Sequence, residues 1–166
     1  MSAAMEATDW LTRQHRQIEA ALREALDTED PDEKHARALD IADALITHIA
    51  AEEQVFYPAV HADRNEDVLL EALEEHLSIK RLLSDLLSLQ ARDVTFQPKL
   101  HVLREQAEHH HKDEERKLFP EVRAKLDEAR RLQIGAAMEA LEAQMRASGK
   151  PRRLVHGQTD AAEPLK

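Results

Sequence analysis

The sequence predicts an all-α fold: an antiparallel up-down-up-down four-helix bundle with an additional C-terminal helix and a disordered tail. Three observations carry this. Apolar residues recur at helical spacing along four long stretches joined by short links. Chain breakers are sparse, Gly 3 and Pro 6 in 166 residues, and they fall mostly between those stretches. Aromatic residues are only 3 %, and the few β-branched ones never alternate with polar ones over a strand's length, which argues against a β domain.

The elements follow in chain order. Thr8 or Asp9 caps a first helix running to about Leu26, with Leu11, Ile18 and Leu22 on its apolar side. Asp30 suits an N-cap and Pro31 a first helical position, opening a second helix from about Asp32 to Val60. Leu39, Leu45, Ile49 and Phe56 face inward there, and Pro58 kinks it or ends its regular part. Asn65 caps a third helix to about Ala91, with Leu69, Leu73, Leu83 and Leu87 along one side. A fourth starts near Pro98, carries Leu100, Leu103, Ala107 and Leu118, and is bent or ended by Pro120. Asp127 to Ala147 is a weaker helical pattern (Leu132, Met138, Leu141, Met145) stopped by Gly149-Lys150-Pro151. The expected organisation is thus a bundle over 8–126, an extra helix over 127–148 that packs outside or mediates a homodimer, and a flexible tail over 149–166.

Composition narrows the function. A formal net charge of −10 repels phosphate, so nucleic acid and anionic membranes are poor partners. With no cysteine there are no disulfides, zinc–thiolate sites, iron–sulfur ligation or thiol nucleophile. No apolar run approaches the ~18 residues of a membrane span. The acidic start, with Glu6 and Asp9 and no basic region, does not read as a signal peptide, so a cytoplasmic location is expected.

The chemistry lies in a repeat. His48-Ile49-Ala50-Ala51-Glu52-Glu53, ending at Pro58, and His110-His111-Lys112-Asp113-Glu114-Glu115, ending at Pro120, share the pattern H-x3-E-E-x4-P, 62 positions apart. His15 stands 33 residues before His48, and His76 stands 34 before His110. The chain is therefore two helical hairpins, each with a His on its first helix and His-x3-Glu on its second. Residues i and i+4 share a helix face, so each imidazole–carboxylate pair can converge on one ion. All six side chains fall on apolar faces. Buried without partners, they would consume the ~5–15 kcal/mol by which a domain is stable. Metal ions remove that conflict, and nitrogen and oxygen donors without sulfur suit iron or manganese, with zinc, nickel or copper as adventitious occupants.

His15, His48-x3-Glu52, His76 and His110-x3-Glu114, with Phe-Tyr-Pro and Leu-Phe-Pro after the glutamates, resemble the hemerythrin-like family, the HHE cation-binding domain. The opening Asp9-Trp10-Leu11-x3-His15-x2-Ile18 is similar to that family's first helix. The resemblance covers about residues 8 to 125. It implies a non-haem centre of two Fe ions, oxo- or hydroxo-bridged, with Glu52 and Glu114 bridging and His15, His48, His76 and His110 as terminal ligands. Oxygen-carrying hemerythrins have a fifth His one turn from the third-helix His. Here Ala72 and Lys80 flank His76 at that spacing, which resembles the H-HxxxE-H-HxxxE branch, associated with peroxide decomposition, iron or oxygen sensing and nitric-oxide chemistry. The implied reading is a centre that meets hydrogen peroxide or dioxygen in oxidative-stress defence, with catalase- or peroxidase-like turnover open. The alternative is a sensing or storage module for oxygen, nitric oxide or iron without turnover.

The remaining candidates have two readings each. His111 pairs with Glu115, and His109 with Asp113, at the same i,i+4 spacing; the matching distance to Pro120 selects His110/Glu114 and leaves His111 as a supporting partner or substitute ligand. Tyr57 is a core aromatic or a ligand. Lys80 snorkels at the bundle end or donates protons. Glu53 and Glu115 lie on the surface or orient imidazole N–H groups. His35, His61, His101 and His156 fit no repeat and read as surface residues. No serine or cysteine nucleophile pattern points to a hydrolase.

Overall fold

The computed structural model describes residues 3–166 and is all-helical, with no strand among the described residues. Helix α1 (Ala7–Asp27) is capped by Glu6, ahead of the expected Thr8 or Asp9: its carboxylate accepts from the backbone N–H of Asp9 at 2.8 Å and of Thr8 at 3.2 Å. Helix α2 (Pro31–Ala51) begins as the sequence indicates, with Asp30 accepting from Glu33 N–H and Pro31 in the first turn. It continues without interruption through a π-helical turn, Glu52–Phe56, into α3 (Tyr57–Val60).

Helix α4 (Glu66–Leu87) stops before the expected Ala91, and α5 (Phe96–Asp113) starts ahead of Pro98. Pro98 is harmless there, because the first turn of a helix needs no N–H donors. Asn65 precedes α4 but does not cap it; its side chain donates to Val60 C=O and accepts from Ala62 N–H, locking the turn. Helix α5 also runs through a π-helical turn, Glu114–Leu118, into α6 (Phe119–Lys125). Helix α7 (Glu128–Ala147) is capped by Asp127.

The packing partners of α1 are α2 and α5, and those of α4 are α5 and α2, the neighbour pattern of an up-down-up-down four-helix bundle. Helix α7 lies on α1 and α2. It buries Ile134, Gly135 and Met138, of which only Met138 belongs to the expected stripe. Gly135 is there for space: a Cβ at this position would sit 2.2 Å from the carbonyl oxygen of Met5.

The tail corrects the sequence reading. Residues 151–158 form a 3₁₀ helix in which Pro151 and Val155 are buried, and Val155 joins the bundle core. Arg152 anchors the segment with its guanidinium and backbone N–H on the Asp43 carboxylate, at 2.8–3.1 Å. Two apolar residues and one ion pair in a polar stretch were enough to order it, a signal too sparse for periodicity.

Two apolar clusters fill the bundle. One contains Ile18, Leu22, Leu45, Ile49, Leu83 and Leu103, the other Trp10, Leu11, Phe56, Leu73, Leu118 and Phe119. Between them lies a buried layer of polar side chains.

Candidate metal centre

That layer holds all six expected residues: His15 and His76 at 0 % exposure, Glu52 at 0 %, His48 at 1 %, His110 at 2 % and Glu114 at 3 %. Their ligating atoms converge. His48 Nε2 lies 3.1 Å and His76 Nε2 3.3 Å from Glu52 Oε1, while His15 Nε2 lies 3.3 Å and His110 Nε2 3.2 Å from Glu114 Oε1. Glu52 Oε1 is also 3.8 Å from His110 Nε2. Each glutamate thus faces imidazoles from both hairpins.

A seventh and an eighth group join them. His111 is 1 % exposed, and its ring stacks on that of His15; a nitrogen of each lies within 4.8 Å of one on His48. His111 thus adds a third imidazole beside His15 and His48. Tyr57, fully buried, directs its hydroxyl to Glu114 Oε2 at 2.9 Å and lies 3.4 Å from His76 Nε2. The donors therefore divide into His15, His48 and His111 on one side and His76, His110 and Tyr57 on the other, with Glu52 and Glu114 between.

The π-helical turns explain Tyr57. In a regular helix Tyr57 would stand one turn beyond Glu53. The extra residue in the turn, with Tyr57 N–H bonded to Glu52 C=O, places it one turn beyond Glu52 instead. The second hairpin repeats the device: Phe119 N–H bonds Glu114 C=O, and the Phe119 ring stacks near His15 at 5.8 Å.

Every imidazole is held from behind. The Nδ1–H of His15 donates to Glu115 at 2.9 Å, of His76 to Glu53 at 2.9 Å, of His110 to Glu75 at 3.1 Å and of His111 to Glu19 at 3.2 Å. His48 differs, donating to the neutral Gln14 Oε1 at 2.8 Å. Arg16 binds both Glu19 and Glu115. Fixing the proton on Nδ1 leaves an Nε2 lone pair free. Glu53 and Glu115 are thus the orienting acids, while Gln14, Glu19 and Glu75 in the same role carried no repeat signal. Lys80 neither snorkels nor reaches the centre: it is 1 % exposed and bonds Glu53 Oε2 at 3.0 Å.

The fit to metal is a matter of orphaned atoms. His15 Nε2, His48 Nε2, both oxygens of Glu52 and Glu114 Oε1 are buried without a hydrogen-bond partner. Such a cluster of acceptors repels itself unless cations fill it. Burial opposes charge on His15, yet Glu114 and Glu115 outweigh it and raise its pKa to about 9. Burial, with His15 and His48 nearby, holds His111 well below the ordinary imidazole value, in the neutral form that ligates. His15, His48, Glu52 and Glu114 form one group able to hold a metal ion, and Glu52, His76 and His110 another.

Of the remaining histidines, His61, His101 and His156 are exposed and His35 is half-buried. No helix among the described residues is long and apolar enough to cross a membrane.

Comparison with known proteins agrees. A family model described as the Hemerythrin HHE cation binding domain matches residues 6–122. The fold is similar to the crystal structure of a hemerythrin HHE cation binding domain-containing protein from Mycobacterium kansasii, with a TM-score of 0.77 and 24 % identity over 87 % of this chain and 89 % of that one. No curated protein sequence matches.

Proposed function

The chain belongs to the hemerythrin HHE cation-binding family, and from that premise we propose that it is a cytoplasmic non-haem di-iron protein that binds or reacts with a small oxidant, hydrogen peroxide or dioxygen, in oxidative-stress defence. The observation that carries this reading is the converging set of five buried imidazoles, each with an acceptor on Nδ1, around two glutamates of which both oxygens of Glu52 and Oε1 of Glu114 lack hydrogen-bond partners. His15, His48 and His111 would hold one iron, His76, His110 and Tyr57 the other, and Glu52 and Glu114 both. Two ferrous ions held there would supply one electron each, which suits two-electron reduction of peroxide to water or its disproportionation. The chain's own contribution is to fix that geometry and keep water out. The apolar clusters above and below seal the layer, and Gln14 and the orienting acids hold the rings. Tyr57 O–H donates to Glu114, so a hydroxyl proton sits at the centre's edge.

Iron content of protein expressed with iron and purified without chelator or metal-affinity resin tests the reading. Two irons per chain, with catalytic peroxide decay that His110→Ala abolishes, are expected. Well under one metal per chain would sink it.

One observation favours the second reading, a sensing or storage module for oxygen, nitric oxide or iron. Gln14, which holds His48, is itself bonded by Glu142 of α7. That path couples the centre to the outer helix. Stable ligand binding without turnover is what this reading expects.

A further inference from the structure

Beside the buried layer, on the face between α4 and α5, stand Glu75, His109 and Asp113, which can offer one ligand atom each within 4.8 Å of one another. His109 is 65 % exposed, and its Nε2 lies 3.5 Å from Asp113 Oδ2 and 3.7 Å from Glu75 Oε2. His109-x3-Asp113 repeats, one residue earlier, the spacing of His110-x3-Glu114, so adjacent pairs on one helix point to the surface and to the core. Glu75 belongs to both: one oxygen faces His109, the other accepts from His110 Nδ1–H at 3.1 Å.

A second, independent observation ties this cluster to the interior. A cavity of about 10 Å³ is lined by Glu75, Asp113 and Lys117 together with Ala72, Leu118 and the buried Glu114. That is room for one water-sized particle. Glu114 is 3 % exposed, and its Oε1 has no partner. Ala72, one turn before His76, lines this cavity with a small side chain. The one cation among these groups is Lys117, whose ammonium lies 3.0 Å from Asp113 and must yield to an arriving ion.

We propose that Glu75, His109 and Asp113 form a solvent-facing site for a divalent cation, at the mouth of the route by which ions reach the buried centre. The inference rests on the reading of that centre as a two-metal site. Two carboxylates with one imidazole attract a hydrated dication without the affinity of the closed layer, as a transfer site requires. Negative charge focused at a narrow opening raises the local concentration of cations and their rate of capture.

Cobalt(II) uptake by the metal-stripped full chain tests this. Equilibrium dialysis counts bound ions, and a chromophoric chelator reports the loss of free Co(II) with time. Three ions are expected in the parent chain, two tight and one weaker. His109→Ala and Asp113→Asn each keep the tight two, lose the third, and fill about tenfold more slowly. Ala72→Leu keeps all three and fills slowly, because it narrows the route without touching the outer site. His101→Ala, which removes another surface His–Glu pair on α5, changes neither reading. Two tight ions with no third, or unchanged filling rates in the variants, would overturn the proposal while leaving the buried centre intact. Fewer than two tight ions would overturn the two-metal reading itself, and this inference with it.

Discussion

His111 stacks on His15 with ring centroids 3.9 Å apart and planes 8° from parallel. The rings come from α5 and α1, and each is fixed by its own acid, Glu19 and Glu115, which Arg16 joins. Helices α1 and α5 are thus clamped at the layer where His48 completes a cluster of three imidazoles. His111→Ala is expected to weaken one of two bound ions by tenfold or more, judged against the about 10–100-fold that loss of a mere orienting partner costs. Titration against a chelator of known affinity reads this, with exposed His101→Ala as the control. An unchanged affinity would remove His111 from the site.

Lys80 and Glu53 form an ion pair at 3.0 Å, Lys80 being 1 % and Glu53 8 % exposed. Such a pair adds little relative to apolar neighbours, but breaking it strands a charge, which costs about 3–5 kcal/mol. Glu53 keeps His76 as a second partner, which places Lys80→Met toward the lower end of that range. Adding Glu53→Gln should recover part of the loss, because no carboxylate is then left uncompensated. Urea unfolding of the four proteins of this cycle measures the coupling. Strictly additive losses would show that the pair is inert.

The bundle was legible because its helices obey one period and its breakers fall between them. The six repeat residues were legible because the H-x3-E-E-x4-P pattern occurs twice with a His at matching distance upstream. Two features stayed open for physical reasons. A π-helical turn has no signature in apolar spacing, so Tyr57 stayed open between core aromatic and ligand; only the backbone shows it under Glu52. His111 lies one turn beyond Ala107, on the same side of α5, but the spacing to Pro120 favoured His110, and the role of His111 is set by α1, which supplies Glu19 and His15 against it. The tail was missed because Asp43 and Arg152 are 109 positions apart, beyond any local pattern.

That same pair sets an acid limit on the C-terminal segment. Burial pushes the Asp43 carboxyl up, but the side chain and backbone N–H of Arg152 outweigh it and hold it below the ordinary value. A carboxyl lowered on folding contributes stability that is present above its unfolded pKa, about 3.9, and is lost as pH falls through the folded value. Residues 151–158 should therefore stay docked at neutral pH and loosen below about pH 4. Asp43→Asn should loosen them at every pH. Amide exchange of Val155 across this range checks both, and equal protection in parent and variant would refute the anchor.

Gln14 is the exception among the groups behind the imidazoles, a neutral amide where the other four rings have carboxylates. A carboxylate there would make His48 more basic, whereas an amide orients it without adding charge to a layer that already holds Glu52 and Glu114. Gln14→Leu leaves the buried Nδ1–H of His48 without an acceptor, at a cost of about 1–3 kcal/mol. Metal affinity should fall about 10–100-fold. Gln14→Glu keeps the acceptor, so it should retain binding, but it sets a second carboxylate against Glu142 and should loosen α7. Comparing ion affinity with protease sensitivity of α7 in the two variants separates orientation from tethering. If only Gln14→Glu loses affinity, the amide matters for its neutrality rather than for the bond it accepts.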